Sequence, residues 1–129
     1  LAECRRVLKN GGRFLCSTYG KQHMWEITDL VQQFHKEIVL SAEVLYERFG
    51  LENGENLLAP YFPEIQMRRY EDAIEIAEAE PLISYILSCH GNQNQLLLNQ
   101  YKEFREFVSA RVADGFHITK EAGIFLCRK

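Results

Sequence analysis

The chain has 129 residues, nearly half of them apolar and about a quarter charged, with a net charge of −3. That length supports one hydrophobic core of ordinary size rather than two domains, so residues 1–129 are expected to form part of a single domain. The composition is that of a globular protein, and the acidic balance gives no general pull toward nucleic acid. No apolar run reaches the roughly 18–20 residues that a membrane-spanning helix needs. Cys4, Cys16, Cys89 and Cys127 lie far apart and form no CxxC pair, which favours a reduced, cytoplasmic chain.

Residues 1–8 read as a helix, with apolar positions at Leu1, Cys4, Val7 and Leu8. Lys9 complements its negative end, and Gly11 or Gly12 can take the left-handed cap conformation. A strand follows at once from Arg13 to Tyr19. The sequence starts inside this helix-to-strand unit without an initiator Met, so half of the fold is expected to lie upstream. Phe14-Leu15-Cys16 is apolar on both faces, the pattern of a parallel strand buried between two helix layers. Met24, Ile27, Leu30, Val31 and Phe34 then recur at three- and four-residue spacing, predicting a helix from about 23 to 36. Residues 37–50 fit either a second short helix or an irregular cover. Asn53 suits the N-cap of a short helix that ends at Pro60.

Ile65 to Tyr70 alternates and reads as a strand near a sheet edge. Ala73 to Ala77 alternates too, either extending that strand or pairing elsewhere. Pro81 opens a helix that reaches Cys89 and ends at Gly91. A longer helix is predicted from about 94 to 113, with Leu97, Tyr101, Phe104, Val108 and Val112 as its buried stripe and Gly115 as its terminator. The last segment reads as strand, turn, strand: Phe116 and Ile118, then Glu121-Ala122-Gly123, then Ile124 to Cys127. The apolar strands at the two ends of the chain are natural neighbours in a sheet centre.

Complete catalytic motifs are missing from this pattern. His23, His35, His90 and His117 form no HExxH, and the serines lack a GxSxG elbow, so neither a zinc site nor a hydrolase triad is supported. Gly11-Gly12 follows a helix and precedes a strand, the reverse of a phosphate-binding loop. Arg5-Arg6, Arg68-Arg69 and Arg128-Lys129 read as solvated edges, and the acids from Glu71 to Glu80 as a solvated face. Position is more informative. Ligands of open α/β sheets bind beyond the carboxyl ends of parallel strands. Ser17, Thr18, Tyr19, Gly20 and His23 therefore fall at a binding crevice, joined by Tyr70 and Glu71 if their strand runs parallel to the first. Helices over 81–113 would roof that crevice, and Tyr19, Tyr70, Tyr85 and Phe104 would give it an aromatic lining suited to a small organic ligand.

The run from Leu1 to Leu15, LAECRRVLKNGGRFL, resembles the E-x-x-R-V-L-K-P-G-G segment of class I S-adenosylmethionine-dependent methyltransferases, the helix leading into their fifth strand. The polar exit Ser17-Thr18-Tyr19-Gly20 and the ending Gly123 to Lys129 are similar to that family's fifth and last strands. Asn10 stands where the family has Pro. The stretch from Glu71 to Gly115 replaces what is often a short hairpin between strands six and seven, and a loop of that length usually has a function.

The resemblance implies the carboxy-terminal part of a Rossmann-like sheet, strands five, six and seven. The last strand would lie antiparallel between the other two, with a helical insertion over roughly 71–115. It implies methyl transfer from S-adenosylmethionine to a small-molecule acceptor by the parent enzyme. The family's donor-binding residues precede the matched segment, so this chain alone is expected neither to bind the cofactor nor to be active. Thr18, Tyr19, His23 and Tyr70 are the substrate-side candidates, with His23 the candidate base. The alternative reading is a non-catalytic α/β module that self-associates, as a dimer or by domain swapping, through the edge of strand 13–19. An esterase-like enzyme is a third reading and has no nucleophile elbow to support it.

Overall fold

The computed structural model describes all residues, 1–129. Its elements in chain order are α1 (Ala2–Val7), β1 (Arg13–Tyr19), α2 (Trp25–Phe34), α3 (Leu45–Arg48), α4 (Gly54–Leu58), β2 (Glu64–Ile76), α5 (Ala79–Ser88), α6 (Gln93–Leu97), α7 (Tyr101–Val112) and β3 (Phe116–Arg128). The fold is mixed α/β. Its three strands form a small antiparallel sheet in the order β1-β3-β2, so the last strand lies between the other two. β1 and β3 pair antiparallel from Arg13 opposite Arg128 to Tyr19 opposite Ala122. The apolar segments at the two ends of the chain are neighbours, as their composition suggests, but only β3 is central and β1 lies at the edge of this sheet.

The chain divides into two compact units, one of residues 1–23, 44–72 and 120–129, the other of 24–43 and 73–119. In the first, Phe14 and Cys16 of β1 face a core of Leu51, Leu58, Phe62, Phe125 and Cys127. Phe14 stacks flat on Phe62 with ring centroids 5.3 Å apart. Leu15, on the opposite face of β1, is 54% exposed. The expectation of a strand buried on both faces is therefore corrected, because the packing partners of β1 in this unit gather on the Phe14 and Cys16 side. α1 ends at Val7 with Leu8 as an extended C-cap, so the left-handed glycine cap is not at the helix end but in the turn that follows. Gly11 adopts a positive φ of 74°, and its N–H donates to the Lys129 carbonyl at 3.0 Å, tying the turn to the end of β3.

The second unit packs α2, α5, α6 and α7 around Ile27, Leu30, Ile83, Ile86, Phe104 and Val108. Phe34 meets Phe104 edge to face at 5.2 Å. Pro81 falls in the first turn of α5, although at its third residue rather than its first. The single helix predicted over 94–113 is two helices here. Gln100 leaves helical backbone at φ −127° and ψ 22°, with no glycine or proline to announce the break. Leu97 and Phe104 remain buried on either side of it, whereas Leu98 is 76% exposed and Tyr101, expected in the buried stripe, is 43% exposed.

Two further corrections concern the long strands. Ala73 to Ile76 continues β2, so the helical stretch between the last two strands occupies 77–115 rather than starting at Glu71. The predicted turn at Glu121-Ala122-Gly123 is the middle of one unbroken strand. Pairing of Ala122 with Tyr19 and of Gly123 with Thr18 outweighs the local turn signal. Gly123 answers a close approach instead: a Cβ there would lie 2.6 Å from the Leu51 side chain and 2.9 Å from the Arg68 carbonyl oxygen. No helix is long and apolar enough to cross a membrane.

Candidate functional site at the carboxyl end of β1

β1 runs out into a tight turn that α2 follows, and this turn is held by carboxylates. The backbone N–H of Lys21 donates to Glu52 at 2.9 Å, and that of Gln22 donates to Glu121 at 2.9 Å. Arg69 closes the arrangement through an ion pair with Glu121 at 2.5 Å. The two carboxylates reach these amides because they lie against the α-carbon of Gly20, where a Cβ would come within 2.3 Å of Glu121 and 2.8 Å of Glu52. Gly20 also donates its N–H to the Glu121 carbonyl at 3.1 Å. The result is a fixed exit from the strand, with the side chains of Thr18, Tyr19 and His23 set by backbone that cannot drift.

Those three candidates come together. With Ser17, Leu45, Arg48, Phe49, Ala122 and Gly123 they line an open cavity of about 560 Å³, within the size range of small-molecule sites. The Tyr19 and His23 rings stack, with centroids 5.0 Å apart and an interplanar angle of 26°. The Thr18 hydroxyl donates to the Phe49 carbonyl at 2.6 Å, pinning the far wall of the cavity to β1. His23 Nδ1 is buried without a hydrogen-bond partner. Burial pulls the imidazole below its ordinary value, and the Lys120 ammonium adds to this. Glu121 opposes through its backbone and its carboxylate, and the net direction is downward. The shift favours the neutral imidazole.

Tyr70 stands apart from this group. It is 66% exposed, its hydroxyl donates to the Asp72 carboxylate at 3.2 Å, and it does not line the cavity. The reason is the length of β2. Because the strand continues to Ile76, Tyr70 sits in mid-strand instead of at an exit. Phe104 belongs to the core of the second unit, where it is fully buried, and lines no crevice. Tyr85 hydrogen-bonds to the sulfur of Met24 within that same unit.

Sequence reasoning missed the wall formed by Leu45, Arg48 and Phe49. These residues lie in the stretch left open between a short helix and an irregular cover, and α3 is only the four residues Leu45–Arg48. Asn53 holds that stretch in place. Its side-chain oxygen accepts the Gly50 N–H at 2.7 Å, while its side-chain nitrogen donates to the carbonyls of Tyr46 at 3.2 Å and Glu47 at 2.7 Å. Asn53 occupies the N-cap position of α4 without capping it, its side chain bonding back to the preceding loop instead. No three His, Cys, Asp or Glu side chains are grouped to hold a metal ion. Burial raises the Cys16 thiol to about 11, with Cys127 and Cys4 adding to the shift, so it is protonated and unsuited to nucleophilic work. The sequence matches no protein-family model, and no curated protein matches it.

Proposed function

We propose that this chain is the acceptor-side, carboxy-terminal part of a methyltransferase domain of the S-adenosylmethionine-dependent class. One observation carries the reading. β3 lies between β1 and β2 and antiparallel to β1, the order that the resemblance of the Leu1–Leu15 segment implies for strands five, seven and six. The cavity at the carboxyl end of β1 adds to it, since that is where open α/β sheets bind their ligands.

The chain's own residues do not fit the methyl donor. Its one glycine at a strand exit leading to a helix, Gly20, is closed in by Glu52 and Glu121 and presents no cradle. The donor site is therefore assigned outside residues 1–129, and S-adenosylmethionine would supply only the activated methyl group. What this part contributes is the acceptor. Tyr19, His23 and Phe49 orient it. Neutral His23 takes the proton that an O–H or N–H acceptor loses. Alignment dominates such a transfer, so a fixed strand exit matters more than a strong base.

The test is to express the reading frame that precedes Leu1 together with this chain and to titrate S-adenosylmethionine calorimetrically. Micromolar binding by the longer protein, and none by residues 1–129, is the expected result. A longer protein that does not bind the donor sinks the proposal.

A second reading, a module that pairs with another copy of itself, is favoured by the position of β1. Its outer edge has no strand beside it in this chain. Light scattering at increasing concentration checks it, and a strict monomer throughout rules it out.

A further inference from the structure

The outer edge of β1 presents a defined set of backbone groups. Lys129 donates its N–H to the Gly12 carbonyl at 3.0 Å and Gly20 donates to the Glu121 carbonyl at 3.1 Å, one at each end of the β1–β3 pair. Hydrogen-bonded and non-hydrogen-bonded residues alternate along an antiparallel ladder. Phe14, Cys16 and Thr18 therefore turn their backbone toward β3, whereas Arg13, Leu15 and Ser17 turn theirs outward. Tyr19 belongs to the outward set, and its carbonyl accepts the Leu51 N–H at 3.3 Å, so the segment before α4 closes the edge there. Gly11 closes the other end, its N–H being held by the Lys129 carbonyl at 3.0 Å. A short edge centred on Leu15 is left. β2, the other outer strand, carries Glu64, Arg68, Arg69, Glu71 and Asp72 within the same unit, whereas Phe14 to Tyr19 has no charge to discourage pairing.

We infer that residues 1–129 form a two-fold dimer in which β1 pairs antiparallel with β1 of a second copy, the two Leu15 residues facing each other on the axis. The inference rests on the self-pairing reading and specifies its register. An axis through Leu15 sets Arg13 opposite the second copy's Ser17 and satisfies every outward N–H and C=O of Arg13, Leu15 and Ser17. Sliding by two residues in either direction brings Tyr19 or Gly11 into the ladder, where their backbone groups are already bonded. The side chains agree with this register. Leu15 is 54% exposed on the open face of the sheet, and across the axis the two Leu15 side chains cover each other. On the opposite face the partly buried Phe14 meets the second copy's Cys16, a large side chain against a small one. No like charges are opposed, because Arg13 faces a serine.

Light scattering and amide hydrogen exchange over one concentration series of residues 1–129 test the register. A dimer is expected, with the Arg13, Leu15 and Ser17 amides exchanging roughly tenfold or more slowly as it forms. The Phe14, Cys16 and Thr18 amides should be protected throughout by β3. Leu15→Pro removes the donor on the axis without touching the bonds to β3, at a place where edge strands tolerate proline. It should give a monomer whose β3-facing amides stay protected. Leu15→Lys sets two ammonium groups opposite each other and should weaken the dimer several-fold or more, with part of the loss recovered in high salt. Undiminished dimerisation of either variant overturns the inference. A dimer whose Leu15 and Ser17 amides exchange as fast as in the monomer overturns the register and leaves the self-pairing reading standing, whereas a strict monomer sinks both. Protection of the same amides in a strictly monomeric protein extended upstream of Leu1 gives the edge to a preceding strand and also overturns the inference.

Discussion

The Tyr19 ring lies over the His23 imidazole, with centroids 5.0 Å apart. Stacking brings the imidazole out of water, and burial is the main reason its proton affinity falls. A histidine whose folded pKa lies below its unfolded value favours the folded state most when it is neutral. Its stabilising effect is present above the unfolded value, near pH 6.5, and is lost as pH falls through the folded value. Urea denaturation midpoints should therefore drop between about pH 7 and pH 5, and His23→Gln should flatten that dependence. An NMR titration in which the His23 ring protons show a midpoint above that of a model imidazole contradicts the account.

His117 shifts the other way. Its Nδ1 contacts the Glu75 carboxylate, which raises its pKa; Glu75 acts first through the hydrogen bond and then through its charge, and Glu26 adds a smaller charge effect. Desolvation opposes the rise, second in size only to the Glu75 hydrogen bond. A raised folded pKa means that the pairing stabilises the fold below the unfolded value and is lost as pH rises through the folded value. The residue is solvent-exposed, so its effect on stability is small and screened by salt. The titration curve is the better readout. Glu75→Gln should lower the His117 midpoint, and added salt should narrow the gap between wild type and variant.

The strands and their pairing were largely legible because apolar alternation and unbroken apolar runs depend on burial, which sequence records directly. Phe14, Cys16, Phe125 and Cys127 all lie where that pattern puts them. The failures share a different cause. The break at Gln100, the straight run through Glu121 to Gly123 and the bare outer face of Leu15 are set by long-range packing and pairing, with no local residue to mark them. The candidate site divides the same way. Thr18, Tyr19 and His23 follow from the rule about strand exits, whereas Arg48 and Phe49 reach the cavity through a loop whose course depends on Asn53. Tyr70 lies in mid-strand because Ala73 to Ile76 extends β2, one of the two courses their alternation allows.

The helical stripe of α7 gives a sharp test of which positions carry stability. Phe104 is fully buried and meets Phe34 edge to face, whereas Tyr101 in the same predicted stripe is 43% exposed. Phe104→Ala should cost about 3–5 kcal/mol, through lost apolar burial and the cavity left behind. Tyr101→Ala should change stability by no more than about 0.5 kcal/mol, as is usual for a surface substitution. Urea denaturation of the two variants checks both figures, and similar losses would place the residues in one continuous buried stripe after all.

Asn53 supports the cavity without lining it. One side chain satisfies the Gly50 N–H and the carbonyls of Tyr46 and Glu47, three backbone groups that bracket Arg48 and Phe49. Asn53→Ala removes all three hydrogen bonds and leaves the part-buried Gly50 amide without its acceptor, at a cost of about 1–3 kcal/mol. Asn53→Asp keeps the acceptor for Gly50 but loses both donations, so its loss should be smaller in amide protection and larger in loop mobility. Hydrogen exchange distinguishes these outcomes. The Gly50 amide should exchange faster in the alanine variant and stay protected in the aspartate variant. If Gly50 keeps its protection in Asn53→Ala, the loop is held by its packing on β1 and the Thr18–Phe49 bond rather than by Asn53.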